Sequence, residues 1–185
     1  MSLFEFVTVM VSMILALCLG HLLRNASFLA RTDREVKHYL PYVLWSLVLL
    51  LTVINHWWSL WDLRDLDWNY GSFLYILAAP ILITFATGLF SPIQPSLGPI
   101  DLQAHYSRTR RTFSAALATY AGVMWFDGPL FAEQAVFGTV GMLHIPIIVA
   151  DLVPSVSANH RANAVAASTV IAILLLIMVV RYSTS

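Results

Sequence analysis

Long apolar stretches separated by short polar segments dominate the chain. Residues 44–54 and 172–180 are apolar on nearly every side of any helix they form. Strands of a membrane barrel would instead alternate polar and apolar residues at every second position. Inside lipid the backbone must satisfy its own hydrogen bonds, which leaves helices as the alternative. The pattern therefore predicts transmembrane helices, each of which needs about 20 mainly apolar residues.

Six apolar segments lie between the charged residues. We predict helices at residues 3–23, 39–61, 71–90, 112–126, 134–150 and 162–180. Together they form a single transmembrane domain over residues 1–185. The expected fold class is therefore all-α: a compact polytopic bundle of six transmembrane helices with short loops.

The stretch between the fourth and fifth helices permits two interpretations. Residues 127–133 read DGPLFAE, and Gly128-Pro129 predicts a turn that ends the fourth helix. We favour two helices that both cross the bilayer, because Asp127 and Glu133 would be costly at its centre. A re-entrant hairpin that never crosses remains open. Either arrangement returns the chain to the same side of the membrane.

The composition of the chain and the positions of its charged residues predict where this domain lies and how it is oriented in the membrane. Hydrophobic residues make up 59% of the 185 residues and charged residues only 11%, whereas soluble domains carry about a quarter charged residues. Ten basic residues balance ten acidic ones, so no basic field attracts nucleic acid. Short loops rich in basic residues usually remain in the cytoplasm. This rule predicts that both termini lie on the outer side of the membrane, which we expect to be a bacterial inner membrane. Eight of the ten basic residues fall on that cytoplasmic side: Arg24, Arg31, Arg34, Lys37, Arg108, Arg110, Arg111 and Arg161.

Polar side chains inside or just beyond the apolar segments are the candidates for a binding site. A polar group within a spanning helix usually faces the bundle interior and marks a functional position. His144 precedes Pro146, which kinks its helix, and Thr84 and Thr87 give the third helix a polar face. The competing interpretation is an interhelical hydrogen bond or a buried core histidine that only stabilises packing. The predicted ligand-binding residues are Asn55, His56, Trp57, Asp62, Asp127 and His144.

The sequence also limits the chemistry. A single cysteine, Cys18, excludes an internal disulfide, and no zinc-protease, serine-hydrolase or phosphate-loop motif occurs. We therefore predict no catalytic residue, metal or cofactor, and expect that the protein is not an enzyme. Two functions remain open. One is a small transporter, channel or ligand-binding membrane protein; the other is a non-catalytic accessory or structural subunit of a larger membrane complex.

Partners and packing follow from the same pattern. The expected partners are the lipid bilayer and either other membrane subunits or a second copy of the chain. Basic residues beside a bilayer attract anionic lipid headgroups. Six arginines are expected to make these contacts: Arg24, Arg31, Arg34, Arg108, Arg110 and Arg111. Small residues permit close helix approach, which predicts a central position for the third helix (Ala78, Ala79, Ala86, Gly88) and the fifth (Gly138, Gly141), with the sixth facing lipid or at the periphery.

Overall fold

The computed structural model describes residues 2–91, 99–131 and 138–182. Within these ranges the chain forms six helices: α1 (Leu3–Arg31), α2 (Leu40–Ser59), α3 (Tyr70–Phe90), α4 (Leu102–Phe131), α5 (Thr139–Val156) and α6 (His160–Tyr182). A 3-10 turn at Leu60–Leu63 extends α2. The predicted all-α class is confirmed.

Local sequence explains where several helices begin. At α1 the Glu5 amide donates to Ser2 Oγ and the Ser2 amide donates back to the Glu5 carboxylate. Asn69 and Ser72 exchange the same pair of hydrogen bonds at the start of α3. These reciprocal contacts satisfy amides that the first helical turn leaves unpaired. Pro41 lies in the first turn of α2, where a missing N–H costs nothing.

Three helices extend beyond their apolar segments. α1 continues to Arg31, α4 begins at Leu102 and α5 continues to Val156, instead of the predicted limits of 23, 112 and 150. Arginine favours helix almost as strongly as leucine does, so a helix need not end where its apolar stretch ends. The polar loops predicted around residues 24–31 and 102–111 are therefore helical turns.

The predicted break at Gly128-Pro129 is wrong. Both residues lie within α4, which continues to Phe131. Proline has no N–H, so Pro129 cannot donate the usual helical hydrogen bond to the carbonyl four residues earlier. The missing hydrogen bond falls in the last turns of α4, and the helix continues past it. The rest of the predicted turn, residues 132–133, and the predicted helix start at 134 lie outside the described residues.

Helix contacts define two ends of the bundle. At one end, which carries Arg24, Arg31, Arg108 and Arg110 and which we call the basic end, the last turns of α1, α3 and α5 meet the first turns of α2, α4 and α6. A two-residue parallel pair, β1 (Val36–Lys37) with β2 (Ile100–Asp101), lies here. The opposite end, which we call the aromatic end, exposes Trp57, Trp58, Trp61 and Tyr70 at 51%, 53%, 61% and 74%. Such rings are typical of the interface between a membrane and water.

The packing order differs from the predicted one. α4 packs between α3 and α5, and α6 packs against both α2 and α5. Val170, Leu174 and Ile177 of α6 are buried, whereas Leu175, Leu176 and Val179 are exposed, so this helix packs through one face and keeps the exposed outer face expected of a peripheral helix. A methyl group added at Gly88 would meet open space, which shows that Gly88 mediates no close helix contact. Ring packing, with the Phe90 and Phe113 centroids 4.7 Å apart, fixes α3 against α4.

Four helical segments are long and apolar enough to cross a membrane. They are Leu3–Arg31, Leu40–Leu63, Tyr70–Phe90 and His160–Val180, and the α5 segment Gly141–Val156 is apolar but shorter. The apolar helices are compatible with insertion into a membrane.

Candidate functional site

A cavity of about 320 Å³ lies between α2, α4, α5 and α6. We call it the main cavity. Its walls follow helical spacing: Val48, Thr52 and Asn55 on α2, and Val170, Leu174 and Ile177 on α6. Residues three or four apart share one helical face, so each helix offers a single face to this space. The α6 wall is apolar, whereas α2, α4 and α5 contribute polar groups.

The polar walls of the main cavity are acidic. Asp62 and Asp127 line it towards the aromatic end, and Asp151 lines it towards the basic end. Among its described lining residues there is no lysine or arginine. A low-dielectric space lined by one sign of charge concentrates ions of the opposite sign. Any of these carboxyl groups that is ionised attracts a cation into this space.

Asp151 is the most buried of these acids. Its side chain is 1% exposed, and its Oδ1 accepts no hydrogen bond within the described part of the chain. The backbone carbonyl of Asp151 accepts a hydrogen bond from the Ser114 hydroxyl, which holds α5 against α4. His144 lies seven residues earlier on the same wall, about 10 Å away along the helix axis.

A second, smaller cavity lies beside the main one, near the aromatic end. Its volume is about 10 Å³, close to the space that one water molecule requires. His56 and Asp127 both line it, and Asp127 also lines the main cavity. His56 is 3% exposed, and its Nε2 has no hydrogen-bond partner among the described residues. On the other side of the ring, Nδ1 lies 3.3 Å from Tyr120 Oη.

The structure brings together most of the predicted site residues. Asn55, Asp62, Asp127 and His144 all line the main cavity, although they come from different elements. His56 faces the small cavity instead. Trp57 lies apart from both: its ring is exposed, and its Nε1 donates to Ser12 Oγ on α1 at 3.1 Å. That contact joins two helices and contributes nothing to the cavity.

Two predicted polar positions belong to helix packing. Thr84 Oγ1 donates to the Pro80 carbonyl at 2.7 Å, and Thr87 Oγ1 donates to the Ile83 carbonyl at 2.8 Å. The Thr87 hydroxyl also lies 2.8 Å from the Cys18 thiol of α1. These threonines satisfy their hydroxyls locally between α1 and α3, away from both cavities.

Sequence reasoning missed Asp151 and Tyr120. The predicted fifth helix ends at residue 150 and so excludes Asp151, whereas α5 continues to Val156. The available signal was the spacing of Gly141, His144, Ile147 and Asp151, which repeats every three or four residues. Tyr120 gave no such signal, because an isolated tyrosine in an apolar helix is usually part of the core.

The basic end carries a contrasting polar cluster whose groups are paired. Tyr106 Oη donates to Asn163 Oδ1 at 2.6 Å, and Asn163 Nδ2 donates to the carbonyls of Ser157 and Asn159. Arg110 donates to the last carbonyls of α5, at Pro154 and Ser155. This cluster joins α4, α5 and α6.

Of the six arginines predicted to meet lipid, four are exposed and two are half-buried. Arg110 is directed to α5, and Arg34 is also partly enclosed, while Arg24, Arg31, Arg108 and Arg111 remain on the surface.

No protein-family model, curated protein or solved structure matches this chain. Its class therefore rests on its own architecture: an all-α protein whose apolar helices are compatible with a membrane and enclose an acidic cavity. His, Cys, Asp and Glu side chains do not gather in threes as a metal site anywhere in residues 2–91, 99–131 or 138–182.

Proposed function

We propose that this chain is a multi-pass membrane protein that binds a small organic cation, such as a protonated amine, in its main cavity. The observation that carries this proposal is Asp151, a buried carboxyl group on the cavity wall whose Oδ1 lacks a hydrogen-bond partner in the described ranges. The proposal corresponds to the transporter or ligand-binding class expected from the sequence.

The physical argument begins with the cost of burying charge. An ionised carboxylate without a partner is strongly unfavourable in an apolar interior. Asp151 must therefore either carry a proton or accept a cation. A protonated amine supplies both the charge and the hydrogen-bond donors that the carboxylate needs.

Shape favours an amine with an apolar body. The volume of the main cavity, about 320 Å³, is at the lower end of the roughly 300–1,000 Å³ typical of small-molecule sites. Val170, Leu174 and Ile177 offer an apolar wall to the body of the ligand. Asp62 and Asp127, towards the aromatic end, attract cations and so favour entry from that side.

We further propose that all six helices cross the bilayer, with both termini outside and the basic end in the cytoplasm. Support comes from the clustering of basic residues at one end and of exposed tryptophans at the other. Leu130 near the end of α4 is 57% exposed. A Leu130→Cys variant in a Cys18→Ala background should react with an impermeant thiol reagent from outside; reaction only after the membrane is opened would contradict this orientation.

The function is tested by calorimetric titration of the purified protein with benzylamine and with benzyl alcohol. The two have nearly the same shape, but only the amine is charged at neutral pH. We expect saturable binding of benzylamine and at least about 30-fold weaker binding of benzyl alcohol, since losing one partner of a buried charge pair costs roughly 2 kcal/mol or more. Asp151→Asn should weaken benzylamine binding by a similar factor.

Asp65→Asn is the matched control. Asp65 pairs with Arg64 on the surface and its side chain is 84% exposed, so its loss should leave benzylamine binding unchanged. Equal affinities for amine and alcohol, or equal losses in the two aspartate variants, would contradict a cation site at Asp151. No binding of either compound, together with a stoichiometric protein partner in native membranes, would favour the accessory-subunit function.

A further inference from the structure

We propose that Asp127, His56 and Tyr120 form a proton route from the aromatic end of the bundle to the main cavity, where Asp151 takes either a proton or a cation. The route itself rests on the geometry of these three residues. Only the exchange of its proton for an amine rests on the function proposed above.

The route begins at the small cavity. Asp127 lines both cavities, so it can take up a proton near the aromatic end and present it to the small cavity. The other polar side chains around that space are engaged elsewhere: Ser59 Oγ donates to the His56 carbonyl at 2.8 Å, and Tyr75 Oη donates to the Val123 carbonyl at 2.6 Å. His56 lines this space, which is about the size of one water molecule, and its Nε2 has no partner among the described residues.

The route continues through the imidazole. His56 Nδ1 lies 3.3 Å from Tyr120 Oη, and Tyr120 lines the main cavity. A histidine can receive a proton on one ring nitrogen and release a different proton from the other. The side chains of His56 and Tyr120 therefore bridge the two cavities.

Each transfer conserves protons. Water in the small cavity takes a proton from the Asp127 carboxyl group and gives one of its own to His56 Nε2. The imidazole then releases its Nδ1 proton to Tyr120 Oη as the tyrosine releases its hydroxyl proton to water or carboxylate in the main cavity. His56 and Tyr120 end neutral, with the imidazole in its other tautomer. The same steps in reverse carry a proton outward when a cation reaches Asp151.

The titratable groups around this route are few among the described residues. α3 presents Tyr75 to His56, and α4 presents Tyr120 and Asp127. Asp151 shares the main cavity with His144 of its own helix and with Asp62, Asp127 and Tyr120, whereas α6 presents only apolar side chains.

The test is the rate at which Asp151 becomes protonated after a rapid acid jump produced by a caged proton. Time-resolved infrared spectroscopy follows the protonated carboxyl band, which is assigned to Asp151 by its absence in Asp151→Asn. We expect both Tyr120→Phe and His56→Gln to slow the appearance of this band about tenfold or more, because each removes one proton-carrying group. Tyr70→Phe is the matched control: Tyr70 is 74% exposed at the same end and should leave the rate unchanged.

Unchanged rates in both folded variants would overturn the route, as would an Asp151 band that does not respond to acid in the wild type. Slowing in either variant that folds like the wild type, with Tyr70→Phe unaffected, supports it. No amine is used, so the result is independent of benzylamine binding. A protein that fails to bind benzylamine but shows slowed protonation in the variants retains the proton route and loses only the proposed cation.

Discussion

The polar groups at the basic end and those around the main cavity belong to the same bundle but differ in their hydrogen bonding. Asn163 is fully buried and uses both ends of its amide in hydrogen bonds, and Arg110 donates to several carbonyls of α5. Around the two cavities, Asn55 Oδ1, His56 Nε2 and Asp151 Oδ1 are buried without a partner in the described chain. Satisfied networks rigidify a structure, whereas unpaired buried groups are costly unless something else binds them.

The comparison separates structural polar residues from candidate functional ones. Polar substitutions at the basic end should change stability, and those around the cavities should change binding or proton transfer.

Asn163 should be the most sensitive position. Replacing it with leucine removes three hydrogen bonds that join α4, α6 and the segment between α5 and α6. Interhelical hydrogen bonds in membranes contribute roughly 0.6–1.7 kcal/mol each, so Asn163→Leu should lower the free energy of unfolding by about 2–3 kcal/mol. Unfolding in mixed detergent micelles measures the change. Thr169→Ala, at an exposed position of α6, is the control; equal losses would show that Asn163 is not a structural anchor.

The neighbouring arginines Arg110 and Arg111 should behave differently. Arg110 donates to the carbonyls at the end of α5, whereas Arg111 is exposed. Hydrogen bonds from a charged group contribute about 1.5–3 kcal/mol, so Arg110→Met should destabilise the protein by about 1.5–2 kcal/mol in the same assay. Arg111→Met should change stability by less than about 0.5 kcal/mol. If the two variants unfold alike, Arg110 does not anchor α5.

Two asparagines provide the smallest and most closely matched contrast. Asn25 Nδ2 donates to Tyr42 Oη at 2.8 Å and joins α1 to α2, while Asn55 Oδ1 is unpaired in the ranges described. Asn25→Leu should therefore cost about 1 kcal/mol. Asn55→Leu should cost less than about 0.5 kcal/mol but weaken benzylamine binding, because Asn55 lines the cavity. The opposite pattern in unfolding and titration would place the functional residue at Asn25.

The sequence predicted the helices better than it predicted the site. Long apolar runs determine helix number because lipid leaves few other options for the backbone. The sequence predicted several helix ends incorrectly. The arginines of α1 and α4 lie inside helices instead of ending them, and Pro129 is tolerated inside α4. Because the fifth helix was predicted to end at residue 150, Asp151 was not recognised as a residue of α5.

The sequence did not predict which polar side chains form hydrogen bonds between helices. Polar residues in apolar segments could be recognised, and four of the six predicted site residues line the main cavity. Which of them find partners depends on contacts across the chain: Trp57 meets Ser12 on α1, and His56 meets Tyr120 on α4. Both contacts join residues more than 40 positions apart, and local patterns carry no information on such pairs.

A crystal structure with 4-bromobenzylamine, located by anomalous diffraction from its bromine, shows whether the main cavity is a cation site centred on Asp151. We expect the bromophenyl group to lie against Val170, Leu174 and Ile177, with the ammonium nitrogen roughly 3 Å from the Asp151 carboxylate. Bromine density elsewhere, for example among the exposed tryptophans of the aromatic end, with Asp151 untouched, would contradict it.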